Sequence, residues 1–218
     1  MNTTTSHSPI FVTGIERSGS SIVAKIIAAC GVFIGDVTPM QENTAIKILI
    51  DNYYKYQLHI PINGQNPLPN TRCLPEFLNL EVSIYTLLRD QGYNELQSCL
   101  LKGFRFAQTW PIWDKTYPNA KWIIVRRRTG DIIQSCLKTG FMNAYSDQIG
   151  WLGWIHEHEK LFVEMIEKGL NCKIVWPERM VNGDFQQMQE TIEWLGLQWD
   201  DSIKEKIQPL LKNSTNKT

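Results

Sequence analysis

The sequence predicts an α/β fold, in which helices cover both faces of a parallel β-sheet. Short apolar runs suited to buried strands recur along the chain and are separated by helical stretches. Hydrophobic residues make up 43% of the 218 residues, enough to build a full core. We expect a single domain over residues 1–218, with frayed tails at 1–8 and 212–218.

Four apolar runs are predicted to be strands, and a further short apolar piece lies at 32–36. The four strands are placed at 9–14, 98–104, 121–127 and 172–176. Ligands of such sheets bind at the carboxyl ends of the strands. The rim that we expect there is formed by residues 14–21, 102–105 and 126–135.

Helical patterns fill the stretches between the strands, and the first of them stops at Gly31, a plausible helix terminator. Helices are predicted at 21–31, 43–58, 76–93, 105–120, 129–142, 152–169, 184–197 and 200–211. The stretch 61–76 is rich in Pro, Asn and Gly, so we expect a surface loop near a site.

Composition argues against several classes of protein. A formal net charge of zero gives no bulk attraction to nucleic acid or to an anionic membrane. No apolar run reaches the ~20 residues that span a bilayer, and the polar N-terminus lacks the pattern of a secretory signal. The five scattered cysteines form no CxxC pair, which favours reduced thiols, a cytoplasmic location and no metal site.

The sequence GIERSGSS at 14–21 has the spacing of a phosphate-binding loop between a strand and a helix. Backbone N–H groups in such a turn, and at the start of the following helix, attract anions. Ser20 stands where nucleoside-triphosphate hydrolases have a lysine, and the nearest cation is Arg17. The alternative interpretation is a glycine-rich turn with a capping serine.

A second basic point follows the strand at 121–127. Ser135 lies eight residues after Arg127, and Asp131 between them can cap the helix or orient an arginine. An arginine fork and a serine hydroxyl together suit a phosphate monoester. The alternative is that these arginines are simply solvated.

Together, these elements resemble the sulfotransferase superfamily, in particular its bacterial-type branch. GIERSGSS matches the family's first loop, and RRTGDIIQS from Arg127 matches its second signature. The resemblance continues through LLKGFR and LGLQWD and spans roughly residues 9–200. It implies a P-loop-type parallel β-sheet with helices on both faces. It also implies 3'-phosphoadenosine 5'-phosphosulfate as the donor.

The resemblance also implies roles for individual residues. Arg127 and Ser135 would hold the donor's 3'-phosphate, and Lys102 would lie near the transferred sulfonate. The 5'-phosphosulfate would be held by Arg17, Ser18, Gly19, Ser20 and Ser21. Arg17 would neutralise the leaving phosphosulfate bridge, so no metal is required.

The general base is open to more than one assignment. Phe104 stands where cytosolic sulfotransferases have a histidine, whereas Glu42 matches an acidic residue of bacterial members. The implied catalytic residues are therefore Arg17, Lys102 and Glu42. The runner-up base is His59, followed by His156 and His158. Arg105 is predicted to hold either the acceptor or a carboxylate of the fold.

Two departures from the family pattern stand out. Glu16 replaces the usual proline beside Arg17, and a carboxylate there is unfavourable unless it points away or pairs with an arginine. The C-terminal Arg-Lys-Gly stretch of cytosolic members is absent. Arg126 or Arg128 is then a candidate to help close the 3'-phosphate pocket.

The sequence leaves three functions open. The first is a sulfotransferase acting on a hydroxyl or amine of a small-molecule or carbohydrate acceptor. The second is a P-loop small-molecule kinase, against which the serine at position 20 argues. The third is a non-catalytic nucleotide-binding protein of the same fold.

Overall fold

Four parallel strands form one sheet in the computed structural model, which describes residues 8–62, 65, 67–200, 202–205 and 207–209. The strands are β1 (Ile10–Gly14), β2 (Leu100–Lys102), β3 (Lys121–Val125) and β4 (Cys172–Val175). Their order across the sheet is β2-β1-β3-β4, and every neighbouring pair is parallel. The predicted α/β class is confirmed. The tails predicted at 1–8 and 212–218 lie, apart from Ser8, outside the described residues.

Helices cover both faces of this sheet, as predicted. The α-helices are α1 (Ser20–Ala29), α2 (Thr44–Tyr56), α3 (Leu80–Asp90), α4 (Arg105–Gln108), α5 (Trp110–Thr116), α6 (Thr129–Leu137), α7 (Gln148–Glu167), α8 (Pro177–Val181) and α9 (Gln186–Leu195). Residues 202–205 and 207–209 are also helical. Within the described part of the chain, no helix is both long and apolar enough to cross a membrane.

The side chains of the strands alternate between two hydrophobic cores, because successive residues of a strand point to opposite faces. Phe11 and Trp122 stack in the core beneath α2–α7, with ring centroids 4.3 Å apart. Their neighbours Val12 and Ile123 pack in the second core, beneath α1, α8 and α9. Since both faces are buried, the strands read as continuous apolar runs in the sequence.

Several boundaries differ from the predicted ones. The strand at 98–104 is only three residues long, because the chain turns into α4 once the Gly103 N–H has bonded to the Val12 carbonyl at 3.0 Å. The helix at 105–120 is two helices, broken at Thr109 shortly before Pro111, whose missing N–H prevents continuation. The short apolar piece at 32–36 makes one isolated bridge, between Phe33 and Cys99.

Helix α8 was not predicted at all, although its first residue, Pro177, is a favourable residue at a helix start. The described residues of the stretch 61–76, which are 61, 62, 65 and 67–76, form a loop, as predicted, with a short 3-10 turn at Thr71–Cys73. Its Gln65 carbonyl accepts a hydrogen bond from the indole N–H of Trp154 at 2.9 Å. That bond holds part of the loop against α7, beside the site described next.

Candidate active site

The loop between β1 and α1 is shaped by two glycines. A Cβ at Gly14 would lie 2.5 Å from the Val125 carbonyl oxygen and 2.7 Å from Ser18 Oγ, so only glycine fits there. Gly19 precedes α1 with φ of 91°, a left-handed conformation that favours glycine. No side chain caps α1, and its first turn carries no acidic residue. The capping serine considered above is therefore wrong, and the helix start can receive an anion.

The two basic segments of the sequence, the loop that contains Arg17 and the segment from Arg127 to Ser135, contact each other. Arg17 Nε donates a hydrogen bond to Ser135 Oγ at 2.8 Å, and Arg127 Nη1 donates to the Arg17 carbonyl at 3.3 Å. The sheet register explains this proximity, because Gly14 pairs with Val125 at the carboxyl ends of β1 and β3. Residues predicted to lie on one rim do lie there.

Asp131 orients arginines and does not cap α6. Its Oδ2 lies 3.9 Å from Arg127 Nε and 3.3 Å from Arg128 Nε, and no side chain caps that helix. Arg128 is also 3.6 Å from Glu178 Oε1, and its side chain is 72% exposed.

Arg126 likewise contacts residues that do not line the site. It donates from Nε to Glu159 Oε1 at 3.2 Å and lies 5.3 Å from the ring centre of Trp176. Neither Arg126 nor Arg128 lines the cavity described below, so Arg127 is the arginine of this triplet that faces it.

Glu42 and Lys102, predicted to be catalytic, form an ion pair. Lys102 ends β2, and its Nζ lies 3.2 Å from Glu42 Oε1. Glu42 is fixed by a tight turn, in which its N–H bonds to Thr38 Oγ1 at 3.3 Å and its carbonyl accepts from the Thr38 N–H at 2.9 Å. Ser21 Oγ donates to the Met40 carbonyl at 2.9 Å. The phosphate-type loop and the Glu42 turn are therefore tied together.

A cavity of about 730 Å³ opens on this rim. Among the described residues, its charged lining consists of five cations and three carboxyl groups: Arg17, Lys47, Lys102, Arg105, Arg127, Glu16, Glu42 and Asp51. Apolar side chains, among them Ile46, Ile50, Ile62, Phe104 and Phe141, complete the wall. The cation excess suits an anionic ligand, and the apolar wall suits an organic group beside it.

Arg105 holds a carboxylate of the fold, the second of its two predicted roles. Its guanidinium forms an ion pair with Asp51, and its Nη2 donates to the Ile62 carbonyl at 2.5 Å. It also lies 4.6 Å from the ring centre of Tyr54. Burial lowers the pKa of Arg105, while the charges of Glu16 and Glu42 oppose that shift. Asp51 was not singled out in the sequence.

Glu16 neither points away nor pairs with an arginine, contrary to the two expected possibilities. Its side chain lines the cavity, and its Oε2 is buried without a hydrogen-bond partner among the described residues. Burial, followed by the charge of Glu42, raises the pKa of Glu16 to about 7, against the opposing charges of Arg105, Lys102 and Arg17. A glutamate beside a basic loop was visible in the sequence, but its burial was not.

The histidines considered as alternative bases do not line the cavity. His59 and His156 are exposed. His158 is fully buried in α7, where Nδ1 lies 2.9 Å from the Trp154 carbonyl and Nε2 lies 3.0 Å from the Gln108 amide nitrogen. Burial lowers the pKa of His158 to about 4, although the Trp154 bond opposes this, so the ring is a neutral structural group.

No cluster of three or more potential metal ligands occurs within the ranges that the structure describes. The five cysteines, all of them described, form no disulfide.

Comparison with known proteins identifies the family. The model of the "Sulfotransferase family" matches residues 9–201. A Caenorhabditis briggsae protein named "Putative protein-tyrosine sulfotransferase" is 22% identical over 200 residues, which cover 89% of this chain and 67% of the relative. The crystal structure of a sulfotransferase from Mycobacterium tuberculosis aligns over 92% of this chain and 70% of the mycobacterial chain, with 14% sequence identity and a TM-score of 0.49. This weak structural similarity is not used to assign the family. Because the family match runs through most of its length, the chain belongs to the sulfotransferase family.

Proposed function

We propose that this enzyme transfers a sulfonate group from 3'-phosphoadenosine 5'-phosphosulfate to a hydroxyl or amine of a small-molecule or carbohydrate acceptor. One observation carries the proposal: Arg17 of the first loop contacts both Ser135 and Arg127 of the second basic segment. This contact lies at the edge of a cavity that is also lined by Lys102 and Glu42. A donor with phosphate groups on the 3' and 5' oxygens of one ribose needs two neighbouring cationic sites on one rim.

The residues present fit this donor. The start of α1 has neither a side-chain cap nor an acidic residue in its first turn, and Gly19, Ser20 and Ser21 line the cavity there. Because the first N–H groups of a helix have no partner within it, an uncapped helix start on the cavity wall supports an anion-binding role for this P-loop-type segment. Arg127 and Ser135 would hold the 3'-phosphate, and residues 17–21 the 5'-phosphosulfate.

When bound, the donor supplies a sulfonate on a good leaving group. The acceptor atom would form a bond to sulfur as the bond from sulfur to the 5'-phosphate oxygen breaks, releasing adenosine 3',5'-bisphosphate. Glu42 would take the acceptor's proton onto its carboxylate. Arg17 and Lys102 would stabilise negative charge on the leaving oxygen and the sulfonate. Lys102 also holds Glu42 in place, at 3.2 Å.

Ligand-dependent thermal stability tests the proposed donor against the alternatives. Adenosine 3',5'-bisphosphate without metal, at ~100 times its dissociation constant, should stabilise the protein by ~2.7 kcal/mol. A larger shift with ATP and magnesium would instead favour a P-loop kinase. No shift with either ligand would favour a non-catalytic protein that has kept the fold.

Transfer itself is tested with donor carrying radioactive sulfur and a panel of alcohols, phenols, sugars and amines. The panel includes a tyrosine peptide, because the curated relative is named for that acceptor. Glu42→Gln should retain bisphosphate binding and lower turnover by ~10²–10⁴-fold, the usual contribution of a general base. Glu167→Gln, at the exposed end of α7, is the matched control. Unchanged turnover in Glu42→Gln would remove Glu42 from the mechanism.

We also propose a cytoplasmic location, which is supported by five cysteines that form no disulfide.

A further inference from the structure

The three carboxyl groups of the cavity are not equivalent. Glu42 is paired with Lys102 at 3.2 Å, and Asp51 is paired with both Lys47 and Arg105. Glu16 takes part in no ion pair in the described structure, and its Oε2 has no hydrogen-bond partner there. It is therefore the unpaired carboxyl of a cavity whose other two carboxyls hold cations.

The charged groups that act on Glu16 come from its own loop and from three other segments of the chain. They are Arg17 of the loop, Lys102 of β2, Arg105 of α4 and Glu42 before α2, and the thiol of Cys136 in α6 is also near. The hydrogen bonds of the three cations go elsewhere, to Ser135, Glu42 and Asp51, respectively. A desolvated carboxylate without its own cation is costly, and the less costly state is the neutral acid.

We propose that Glu16 is a positioning residue that carries a proton whenever the donor is bound. The proposal rests on the proposed function, since it concerns the same anion site. An ionised Glu16 competes with the donor for Arg17 and Lys102, whereas a neutral Glu16 leaves both cations to the donor. The proton then resides on Glu16, and Glu42, held by Lys102, remains the charged carboxylate available to the acceptor.

The direction of the coupling follows from simple electrostatics. A bound anion favours the protonated form of a nearby carboxyl, so protons and donor bind together. The pKa of Glu16 in the free protein, about 7, places this coupling at neutral pH. Binding of the donor's phosphates should then take up protons at Glu16.

Calorimetry tests this without any acceptor. Adenosine 3',5'-bisphosphate is titrated into the protein at pH 7 in buffers of different ionisation enthalpy, which gives the protons taken up per ligand bound. A carboxyl half ionised at pH 7 should contribute an uptake of about 0.5 proton. Glu16→Gln should lack this contribution, and Glu167→Gln should retain it. Titration of the ligand's own phosphates cancels in the comparison between variants.

The pH profile of the dissociation constant is the second measurement. Since only the neutral form of Glu16 is competent, the wild-type affinity should fall by about tenfold from pH 6 to pH 8, relative to Glu16→Gln. Glu16→Ala should behave as Glu16→Gln does. If both variants fail to fold, the infrared band of a protonated carboxyl in the wild-type protein should grow on binding of the bisphosphate at pH 7.5.

The outcomes separate this inference from the proposed function. Equal proton uptake and parallel pH profiles in wild-type and Glu16→Gln protein would overturn the role of Glu16 and leave the donor site intact. The same holds for an infrared band that does not grow. Absence of bisphosphate binding by the wild-type protein would overturn the proposed function itself.

Discussion

Replacement of Arg127 by alanine should selectively weaken binding of the 3'-phosphate. Arg127 is the arginine of the 126–128 triplet that lines the cavity, and its side chain is only 30% exposed. A charge-assisted hydrogen bond contributes ~1.5–3 kcal/mol, so the dissociation constant of adenosine 3',5'-bisphosphate should rise by ~10–150-fold. The loss should lie toward the upper end, because Arg127 also bonds to the Arg17 carbonyl of the loop.

The chain offers a matched control in Arg128, the next residue. Its side chain is 72% exposed and, among the described residues, pairs with Asp131 and Glu178 alone, and such exposed pairs contribute ~0–1 kcal/mol. Arg128→Ala should therefore change the dissociation constant by less than ~5-fold. Both variants should unfold in urea at nearly the wild-type concentration.

The assay is calorimetric titration with two ligands, adenosine 3',5'-bisphosphate and adenosine 5'-monophosphate. The second ligand lacks the 3'-phosphate, so Arg127→Ala should weaken its binding far less than it weakens binding of the bisphosphate. Equal losses for the two ligands would show that Arg127 does not hold the 3'-phosphate. An equal loss in Arg128→Ala would show that general positive charge, and not this contact, attracts the ligand.

Three further predictions concern stability. Gly14→Ala should lower the free energy of unfolding in urea by ~1–3 kcal/mol, because the new Cβ would lie 2.5 Å from a β3 carbonyl oxygen. Gly130→Ala, whose Cβ would have no atom within 4 Å, should lower it by almost nothing. Equal effects of the two substitutions would contradict the steric account. Lys102→Met should lower the free energy of unfolding by ~1–3 kcal/mol, because it leaves the Glu42 carboxylate without its cation. Adding Glu42→Gln should recover most of that loss. Simply additive losses would mean that the two side chains are not coupled. The pKa of His158 is 6.5 in the unfolded chain and about 4 in the folded protein, so the unfolded chain binds a proton first as the pH falls. The free energy of unfolding should therefore decline by ~3 kcal/mol between pH 6.5 and pH 4. The same dependence of stability on pH in His158→Gln would disprove this.

The sequence predicted the fold and the rim because both depend on local patterns. Apolar runs between helical stretches identified the strands, and the GxxxxG spacing located the loop. Parallel strands bring their carboxyl ends together, so the sequence alone predicts Arg17, Arg127 and Ser135 on one rim. The roles assigned to these three residues in binding the donor stay predictions.

Pairings between distant parts of the chain could not be predicted in this way. The ion pair of Arg105 with Asp51 joins residues 54 positions apart, and no local pattern marks it. The surroundings of Glu16 come from distant parts of the chain, among them Glu42, Lys102 and Arg105, so the sequence showed an unfavourable charge but not how the fold accommodates it. The sequence contains a signal for the helix break at Thr109, because Pro111 follows two residues later. The helical pattern on both sides nevertheless predicts one continuous helix at 105–120.

A structure of the protein with adenosine 3',5'-bisphosphate tests the central claim most directly. The account predicts the 5'-phosphate on the backbone N–H groups of residues 17–21, with the 3'-phosphate within hydrogen-bond distance, ~3 Å, of Arg127 and Ser135. A bisphosphate bound away from this rim, or one whose 3'-phosphate touches neither residue, would contradict it.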